Sequence, residues 1–221
     1  HRRTHELWRE AHYPYVVKGP TGRGLRIGSG LVFLSEYPLE ATGSLTYRDC
    51  MGVDCFARKG VQRVRARVPG LPFPIELTNT HLQASYSSKK FPKPEWNRAA
   101  RMRQVIDLLK FVKQGFTASP TLLLGDFNFR EGNVDYERFM READLAHGAI
   151  MCIDRPDRCD GADEMAETSA TTVDHIFVSD EGEGHAWSAE PVSYRRTFRE
   201  LVGGEPLSDH LAVESTWLIR W

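Results

Sequence analysis

The chain has 221 residues, 41% of them hydrophobic and 27% charged, which places it among globular proteins and excludes disordered, collagen-like and coiled-coil classes. This length predicts one large domain, residues 1–221, with one core. Because no window approaches about eighteen consecutive apolar residues, the sequence given excludes a transmembrane helix, although not attachment to a membrane surface.

The net charge of −1 hides an asymmetry between the two halves of the chain. Residues 1–120 carry 20 basic and 9 acidic side chains, whereas residues 121–221 carry 9 basic and 21 acidic ones. The overall charge argues against electrostatic capture of a polyanion, but the split favours an anionic partner in the first half and cation ligands in the second. The alternative is that two parts of one fold expose opposite charges without a functional reason.

The predicted elements begin with an amphipathic helix over Arg2 to Ala11. Strands follow, the first an apolar run opened by glycines and the second an alternating segment whose arginines form a solvated face. These strands and those of the second half are Gly28 to Ser35, Val61 to Val68 (with Val64, Ala66 and Val68 on one face), Ile75 to His81, Thr121 to Gly125, Val173 to Val178 and Leu211 to Ile219.

Two helices are predicted between these strands. Apolar residues at steps of three and four predict a helix of about five turns over Trp96 to Gln114 and a shorter one over Asp135 to Ala146. Helices interleaved with strands predict α/β layers in which helices cover sheets. The inward residues are predicted to be Ala99, Met102, Val105, Ile106, Leu109 and Val112 in the first helix, and Tyr136, Phe139 and Ala143 in the second.

Four polar segments rich in glycine and proline lie among these elements. They are too deeply embedded among strands to be domain linkers, and we interpret them as long loops around one site. The segments are Lys18 to Arg26, Tyr86 to Pro94, Arg155 to Ser169 and Gly182 to Pro191.

The four cysteines form two close pairs, Cys50 with Cys55 and Cys152 with Cys159, each in a polar, turn-rich stretch. The CxxC spacing typical of zinc sites is lacking. An even count in loop segments fits two short-range disulfides and an oxidising compartment, which favours a secreted or periplasmic protein. Four unpaired thiols in a cytosolic protein are the alternative.

Four short polar clusters lie at or just beyond predicted strand ends. Polar residues that follow a buried strand emerge at the rim of a sheet, so the clusters can converge on one crevice. Each alone has a plain explanation, as a rim histidine, a turn or the start of a strand. Together they supply carboxylates for a hard divalent cation, an amide donor for a phosphate oxygen and imidazoles for proton transfer. They are Asn79-Thr80-His81, Gly125-Asp126-Phe127-Asn128, Val173-Asp174-His175 and Ser208-Asp209-His210.

This combination resembles the endonuclease/exonuclease/phosphatase superfamily, which includes type I deoxyribonuclease, abasic-site endonucleases, inositol polyphosphate 5-phosphatases and neutral sphingomyelinases. The resemblance spans nearly the whole chain. It implies an α/β fold, a four-layer sandwich of two mainly antiparallel sheets face to face, flanked by helices. It also implies hydrolysis of a phosphate ester with Mg²⁺, or with Mn²⁺ or Ca²⁺ in its place. The matching motifs are THL at Thr80 to Leu82, LLLGDFN at Leu122 to Asn128, VDHIFV at Val173 to Val178 and SDHLAV at Ser208 to Val213.

The resemblance also implies a role for each matching residue. His210 is expected to be the general base that activates water, with Asp174 orienting its imidazole. No catalytic role falls to His175, whose strand position predicts packing. The remaining expectations are Asp126 and Asp209 as the carboxylates at the metal and the nucleophile, and Asn128 and His81 as donors to the phosphate oxygens.

The family's glutamate ligand and first-strand asparagine have no match in the chain. In the family they precede a helix that leads into a Tyr-Pro segment, which here is Tyr13-Pro14. We therefore expect both residues upstream of His1, in strands that would close the first sheet.

Within the superfamily, the sequence is most similar to the neutral sphingomyelinase branch, on GSGLVFLSEYPL from Gly28, the ARKG loop at Ala57 to Gly60 and THLQA from Thr80. A phospholipid headgroup is therefore the expected substrate of a monomeric enzyme, with a nucleic acid as the alternative. A loop with alternating lysines and aromatics fits a membrane surface, a nucleic-acid backbone or plain solvation. A non-catalytic binding module on the same scaffold is the remaining alternative. The loop comprises Tyr86, Lys89, Lys90, Phe91, Lys93 and Trp96.

Overall fold

The computed structural model describes residues 13–22, 27–85, 93–115, 119–179 and 187–221. The chain divides into two compact units, His1–Asn128 and Phe129–Trp221. The helix predicted over Arg2 to Ala11 and most of the lysine-rich loop lie outside the described residues. No helix among the described residues is both long and apolar enough to cross a membrane.

A mixed sheet with the strand order β3-β4-β5-β6 forms the centre of the first unit. The first three strands pair antiparallel and the last pair is parallel, so the chain must cross over between β5 and β6. A separate antiparallel ribbon, β1-β2, precedes them. The strands are β1 (Tyr15–Lys18), β2 (Val32–Ser35), β3 (Leu39–Thr46), β4 (Gly60–Ala66), β5 (Ile75–His81) and β6 (Thr121–Asp126).

The crossover is helix α1, Pro94–Lys113, which begins with proline at its first turn and ends with Lys110 and Lys113 in its last turn. Its buried face differs from the prediction, because Ala99 is exposed and Ala100 is buried. The polar side chains Asn97, Arg101 and Gln104 are also buried, and apolar periodicity cannot detect a face that contains them.

The arginine face of β4 is less solvated than its alternation predicts. Arg63 is half-buried, with its guanidinium 4.8 Å from the ring centroid of Phe111 and one N–H donating to the Phe111 carbonyl of α1. Val64 and Ala66 on the other face are buried, as predicted. The methylene stems of arginine allow a helix to pack over this face.

The second unit contains short helices and two antiparallel strand pairs. β7 pairs with β8, and β9 pairs with β12 along its whole length, from Ala212 opposite Thr197 to Arg220 opposite Ser188. A small hairpin, β10-β11, extends from the turn between β9 and β12. The elements are α2 (Val134–Ala143), β7 (Leu145–His147), α3 (Gly148–Ile153), α4 (Ala162–Thr168), β8 (Asp174–Ser179), β9 (Ser188–Thr197), β10 (Leu201–Val202), β11 (Glu205–Pro206) and β12 (Ala212–Arg220).

Three predictions in this unit are wrong. The helix predicted to reach Ala146 ends at Ala143, because Asp144 has a left-handed backbone (φ 52°) and the chain turns into β7. The predicted loop Arg155 to Ser169 contains α4, and the predicted loop Gly182 to Pro191 runs into β9. The predicted inward residues of α2, Tyr136, Phe139 and Ala143, are all buried.

Both predicted disulfides are formed. Cys50–Cys55 closes the loop that contains a 3-10 turn, Gly52–Phe56, between β3 and β4. Cys152–Cys159 joins the end of α3 to the segment before α4, within a cluster that also buries Met165 and Tyr194. The second bridge therefore contributes both a crosslink and apolar surface to the core of its unit.

Candidate active site

In the first unit, His81 and Asp126 lie at the carboxyl ends of neighbouring parallel strands. They are the last residues of β5 and β6, and the strand register places them opposite each other. Nε2 of His81 is 3.2 Å from Oδ2 of Asp126, and the side chains are 35% and 18% exposed. Parallel pairing thus brings two of the predicted site residues into one solvent-accessible pair.

The Gly125–Asn128 turn gives Asp126 its orientation. Gly125 has φ 140°, and a Cβ atom there would lie 2.0 Å from the carbonyl oxygen of Thr80, so only glycine fits. Asn128, at φ 52°, donates its backbone N–H to Oδ1 of Asp126 at 2.9 Å. One Asp126 oxygen therefore holds the turn while the other faces His81.

The side chain of Asn128 is anchored by the carbonyl oxygen of Leu82, to which Nδ2 donates at 2.9 Å. An amide nitrogen carries two hydrogens, so the same group can also donate to a ligand oxygen. The predicted donor thus has a fixed geometry, provided by the residue that follows His81.

A buried ion pair that the sequence analysis missed supports the same carbonyl. Nζ of Lys59 donates to the Leu82 oxygen at 2.9 Å and lies 2.8 Å from Oδ2 of Asp54. That Asp54 oxygen also accepts the backbone N–H of Ala84 at 2.8 Å. Burial lowers the pKa of Lys59, and its hydrogen bond to Asp54 opposes that shift. The ARKG resemblance pointed to this loop but assigned Lys59 no role.

Polar residues of α1 hold the segment after His81. Gln83, fully buried, donates its backbone N–H to Oε1 of Gln104 at 2.7 Å, and Arg101 donates to the Gln83 carbonyl at 2.9 Å. The Gln83 side chain exchanges two hydrogen bonds with the backbone of Met51. These bonds explain why α1 buries polar residues, and they give the segment beside His81 a rigid support.

In the second unit, His210 and Asp174 form the predicted pair. Nδ1 of His210 is 2.8 Å from Oδ2 of Asp174, and the side chains are 38% and 28% exposed. Because Nδ1 donates to the carboxylate, Nε2 is the nitrogen of a neutral His210 that can accept a proton. The backbone N–H of His210 donates to Oγ of Ser208 at 3.1 Å, and Asp209 between them is exposed.

His175 has the packing role predicted for it. It is 2% exposed, and its ring nitrogens bond to His147 and to the Phe129 carbonyl. The structure therefore brings His81, Asp126 and Asn128 together in the first unit, and Asp174 and His210 together in the second.

An exposed apolar hairpin directly precedes the Ser208–His210 motif and was not recognised in the sequence. The segment that joins β9 to Ser208 includes this hairpin. It contains four large apolar side chains that are each about 60% exposed. Arg199 at its base pairs with Glu164 of α4. The four residues are Phe198, Leu201, Val202 and Leu207.

Comparison with known proteins identifies relatives of the chain. The model of the endonuclease/exonuclease/phosphatase family matches residues 2–210. Among curated proteins, sphingomyelin phosphodiesterase 5 of Mus musculus is 26% identical over 189 residues, which cover 80% of this chain and 35% of that protein. The chain thus spans about a third of the length of this relative.

Solved structures with the same fold include D. rerio TDP2 complexed with a single-strand DNA product, with a TM-score of 0.62, 15% identity and coverage of 98% of this chain and 81% of that one. A mutant of beta toxin from Staphylococcus aureus with bound magnesium ions has a TM-score of 0.55 and 14% identity, and the match covers 93% of this chain and 75% of that one. These matches confirm the α/β sandwich fold that the resemblance implied.

Proposed function

The chain belongs to the endonuclease/exonuclease/phosphatase family, and on this premise we propose that it is a metal-dependent phosphodiesterase that hydrolyses a phospholipid headgroup. The span matched by the family model, residues 2–210, includes all six residues assigned from the resemblance. The curated relative at 26% identity is a sphingomyelin phosphodiesterase, which supports a choline phospholipid as the first substrate to test.

His210 acts as the general base in this proposal. Nε2 takes a proton from water while the water oxygen bonds to phosphorus and the ester bond breaks, and the leaving alkoxide takes up a proton from solvent to become the alcohol. Asp174 holds the ring by its Nδ1 contact of 2.8 Å and stabilises the imidazolium that forms. Asn128 and His81 donate to the nonbridging oxygens, on which charge increases in the transition state.

Asp126 and Asp209 are the proposed ligands of the divalent ion. Carboxylate oxygens are the donors that Mg²⁺, Mn²⁺ and Ca²⁺ favour, and both side chains reach solvent, so the donor set fits a hard cation. When bound, the ion would neutralise negative charge on the phosphate oxygens. The beta-toxin structure with bound magnesium ions supports Mg²⁺ as the first ion to test.

The observation that carries the phospholipid assignment is the apolar hairpin. Leu207 is 59% exposed and stands three residues before His210. Three residues span at most about 10 Å, so chain connectivity alone keeps this apolar surface near the general base. Exposed leucine and valine favour a lipid interface, whereas a nucleic-acid groove is built from cations and stacking aromatics.

A nuclease is the second candidate, favoured by a different observation. The TDP2 neighbour was solved with a single-strand DNA product, and the first half of this chain is strongly basic. The lysine-rich loop lies largely outside the described residues, although Lys93 stacks over the ring of Trp96 at 5.7 Å from its centroid.

The test compares the wild-type chain with His210→Ala on choline phospholipid vesicles and on plasmid DNA. We expect hydrolysis of the vesicle lipid, a loss on the order of 10² to 10⁴ in His210→Ala with the fold intact, and loss of wild-type activity in EDTA with recovery in Mg²⁺. Glu142→Gln, which removes only an exposed ion pair with Arg138, is the control for a surface change.

Each contrary result has a defined meaning. Plasmid nicking without lipid hydrolysis would replace the phospholipid substrate with a nucleic acid. Near-normal turnover in His210→Ala would remove the general-base assignment. Inactivity of the wild-type chain on both substrates, with a folded spectrum and added Mg²⁺, would favour the non-catalytic module.

A further inference from the structure

A buried chain of hydrogen bonds in the second unit takes no part in the proposed chemistry. The Tyr136 hydroxyl lies 3.0 Å from Nδ1 of His147, and Nε2 of His147 lies 3.2 Å from Nδ1 of His175. Nε2 of His175 lies 3.0 Å from the carbonyl oxygen of Phe129. Tyr136, His147 and His175 are 6%, 3% and 2% exposed, so we call these three side chains the buried relay.

The partners fix where each proton of the buried relay lies. A carbonyl oxygen only accepts, so Nε2 of His175 must carry the hydrogen that bonds to Phe129. A neutral imidazole has one N–H, so Nδ1 of His175 accepts and Nε2 of His147 donates to it. Nδ1 of His147 then accepts the Tyr136 hydroxyl. Both histidines are therefore Nε2–H tautomers, and no group in the chain can be reversed alone.

Aromatic rings enclose the buried relay. The ring centroid of Phe129 lies 5.7 Å from that of His175, and the centroid of Phe177 lies 4.9 Å from that of His147. Burial lowers the pKa of His147 to about 3, which keeps its imidazole neutral under ordinary working conditions. A broken bond in this apolar surrounding would leave an unsatisfied polar group, so the arrangement is rigid.

The buried relay reaches the start of β8, where the site residue Asp174 lies. β7 pairs with β8 only over Phe177–Ser179 and does not extend to Asp174. The His175 side chain instead links the first residues of β8 to His147 of β7 and to Tyr136 of α2. Neighbouring side chains on a strand point to opposite faces, so His175 points into the core while Asp174 bonds to His210.

We propose that His175, locked by His147 and Tyr136, is a positioning residue that holds the start of β8 so that Asp174 meets His210. This inference rests on the proposed function for its kinetic consequence. It adds to that function a set of residues that touch neither substrate nor metal and act only through Asp174.

Two substitutions of His147 separate the positioning role from mere packing. His147→Gln retains an acceptor for Tyr136 and a donor for His175, whereas His147→Leu removes both. Phe139→Leu is the matched control, because Phe139 is fully buried in the same aromatic cluster and lies 4.8 Å from the ring centroid of Phe177, yet its side chain has no hydrogen-bonding group.

The kinetic expectation is a change in kcat rather than in KM. We expect His147→Leu to lower kcat by at least about tenfold with KM within about twofold, because a small displacement of a catalytic group costs rate without costing binding. His147→Gln should recover most of kcat. Phe139→Leu should lower the Tm but retain kcat per folded molecule.

The proposal is overturned if His147→Leu and Phe139→Leu lose activity equally, or if His147→Gln is as impaired as His147→Leu. NMR of protein with nitrogen-labelled histidine supplies a readout that needs no substrate. It should show Nε2–H tautomers for His147 and His175, and it should show the His210 Nδ1–H signal weakened in His147→Leu only. If the wild-type chain hydrolyses no phosphodiester, the proposed function fails, while these signals still decide the positioning role.

Discussion

At the scale of single residues, buried polar groups hold the predicted site residues in place within each unit. In the first unit, the Leu82 carbonyl accepts from both Lys59 and Asn128, so one backbone oxygen couples a buried cation to a proposed phosphate donor. In the second unit, the hydrogen bonds of the buried His175 side chain hold β8 in place. Such groups are costly to bury unless every partner is present, which makes their geometry specific.

The low pKa of His147 predicts a pH dependence of stability. Its pKa falls from 6.5 to about 3 on folding, so the unfolded chain takes up a proton first as the pH decreases. The stabilisation is complete above the unfolded value and is lost from there down to the folded value, at no more than about 1.4 kcal/mol per pH unit. Denaturant unfolding of the wild type and of His147→Gln, at pH values between these two pKa values, measures this loss of stability.

The comparison isolates the contribution of His147. The carboxylates titrate in the same pH range, but they are identical in both proteins. The free energy of unfolding of the wild type should fall more steeply with decreasing pH than that of His147→Gln. Parallel curves would show that His147 is not neutral in the folded protein.

At the scale of elements, the β10-β11 hairpin that precedes the Ser208–His210 motif presents an apolar surface. Leu201 and Val202 in β10 are each 61% exposed. Both residues lie in the hairpin, because β10 pairs antiparallel with β11. Exposed apolar residues in such a cluster are typical of an interaction surface. Under the proposed function, the hairpin would contact the membrane while His210 acts on the substrate, so the two roles can be tested separately.

The hairpin variant Leu201→Ser/Val202→Ser tests this separation. We expect at least about a tenfold loss of hydrolysis on phospholipid vesicles, because two side chains would no longer insert among the lipids. Activity on a soluble phosphodiester should be unchanged. Sedimentation with vesicles, measured alongside both assays, reports the binding step directly.

Val134→Ser is the matched control, since Val134 is 63% exposed but lies at the start of α2. It should leave vesicle binding and both activities unchanged. Equal losses on soluble and vesicle substrates in the hairpin variant would show that the hairpin supports the site rather than a membrane contact.

At the scale of the whole chain, two disulfides stabilise segments that have little regular structure. Cys50–Cys55 and Cys152–Cys159 close short loops, with sequence separations of 5 and 7. Disulfides persist in oxidising compartments, so both bonds agree with the secreted or periplasmic location expected from the sequence. That location itself stays a prediction.

Removal of the second bridge should destabilise the chain measurably. A crosslink of this loop length contributes about 2.5 kcal/mol through the entropy of the unfolded chain, so Cys152→Ala/Cys159→Ala should lower the Tm by roughly 5 to 10 °C. Differential scanning calorimetry with and without a thiol reductant checks it. The double variant should no longer respond to the reductant at this bridge. If the Tm of the double variant equals that of the wild type, Met165 and Tyr194 hold this core without the crosslink.

The sequence by itself determined the features that local chemistry specifies. These are the family motifs, the α/β class, the two cysteine pairs, the span of β5 and the inward face of α2. It also indicated that His175 packs. In each case neighbouring residues contain the signal, as an alternating pattern, a close pair or a short motif.

Only the tertiary structure decided which polar residues support the site. Asn97, Arg101 and Gln104 lie on the buried face of α1 because their partners are distant in sequence. Asn97 accepts from the side chain of Gln83, Arg101 donates to the Gln83 carbonyl, and Gln104 donates to the Asp49 carbonyl. Asp54 and Lys59 meet beside Leu82 for the same reason. Hydrophobic patterning records burial through apolar side chains alone, whereas a buried polar side chain is stabilised by partners that only the folded chain brings within hydrogen-bonding distance.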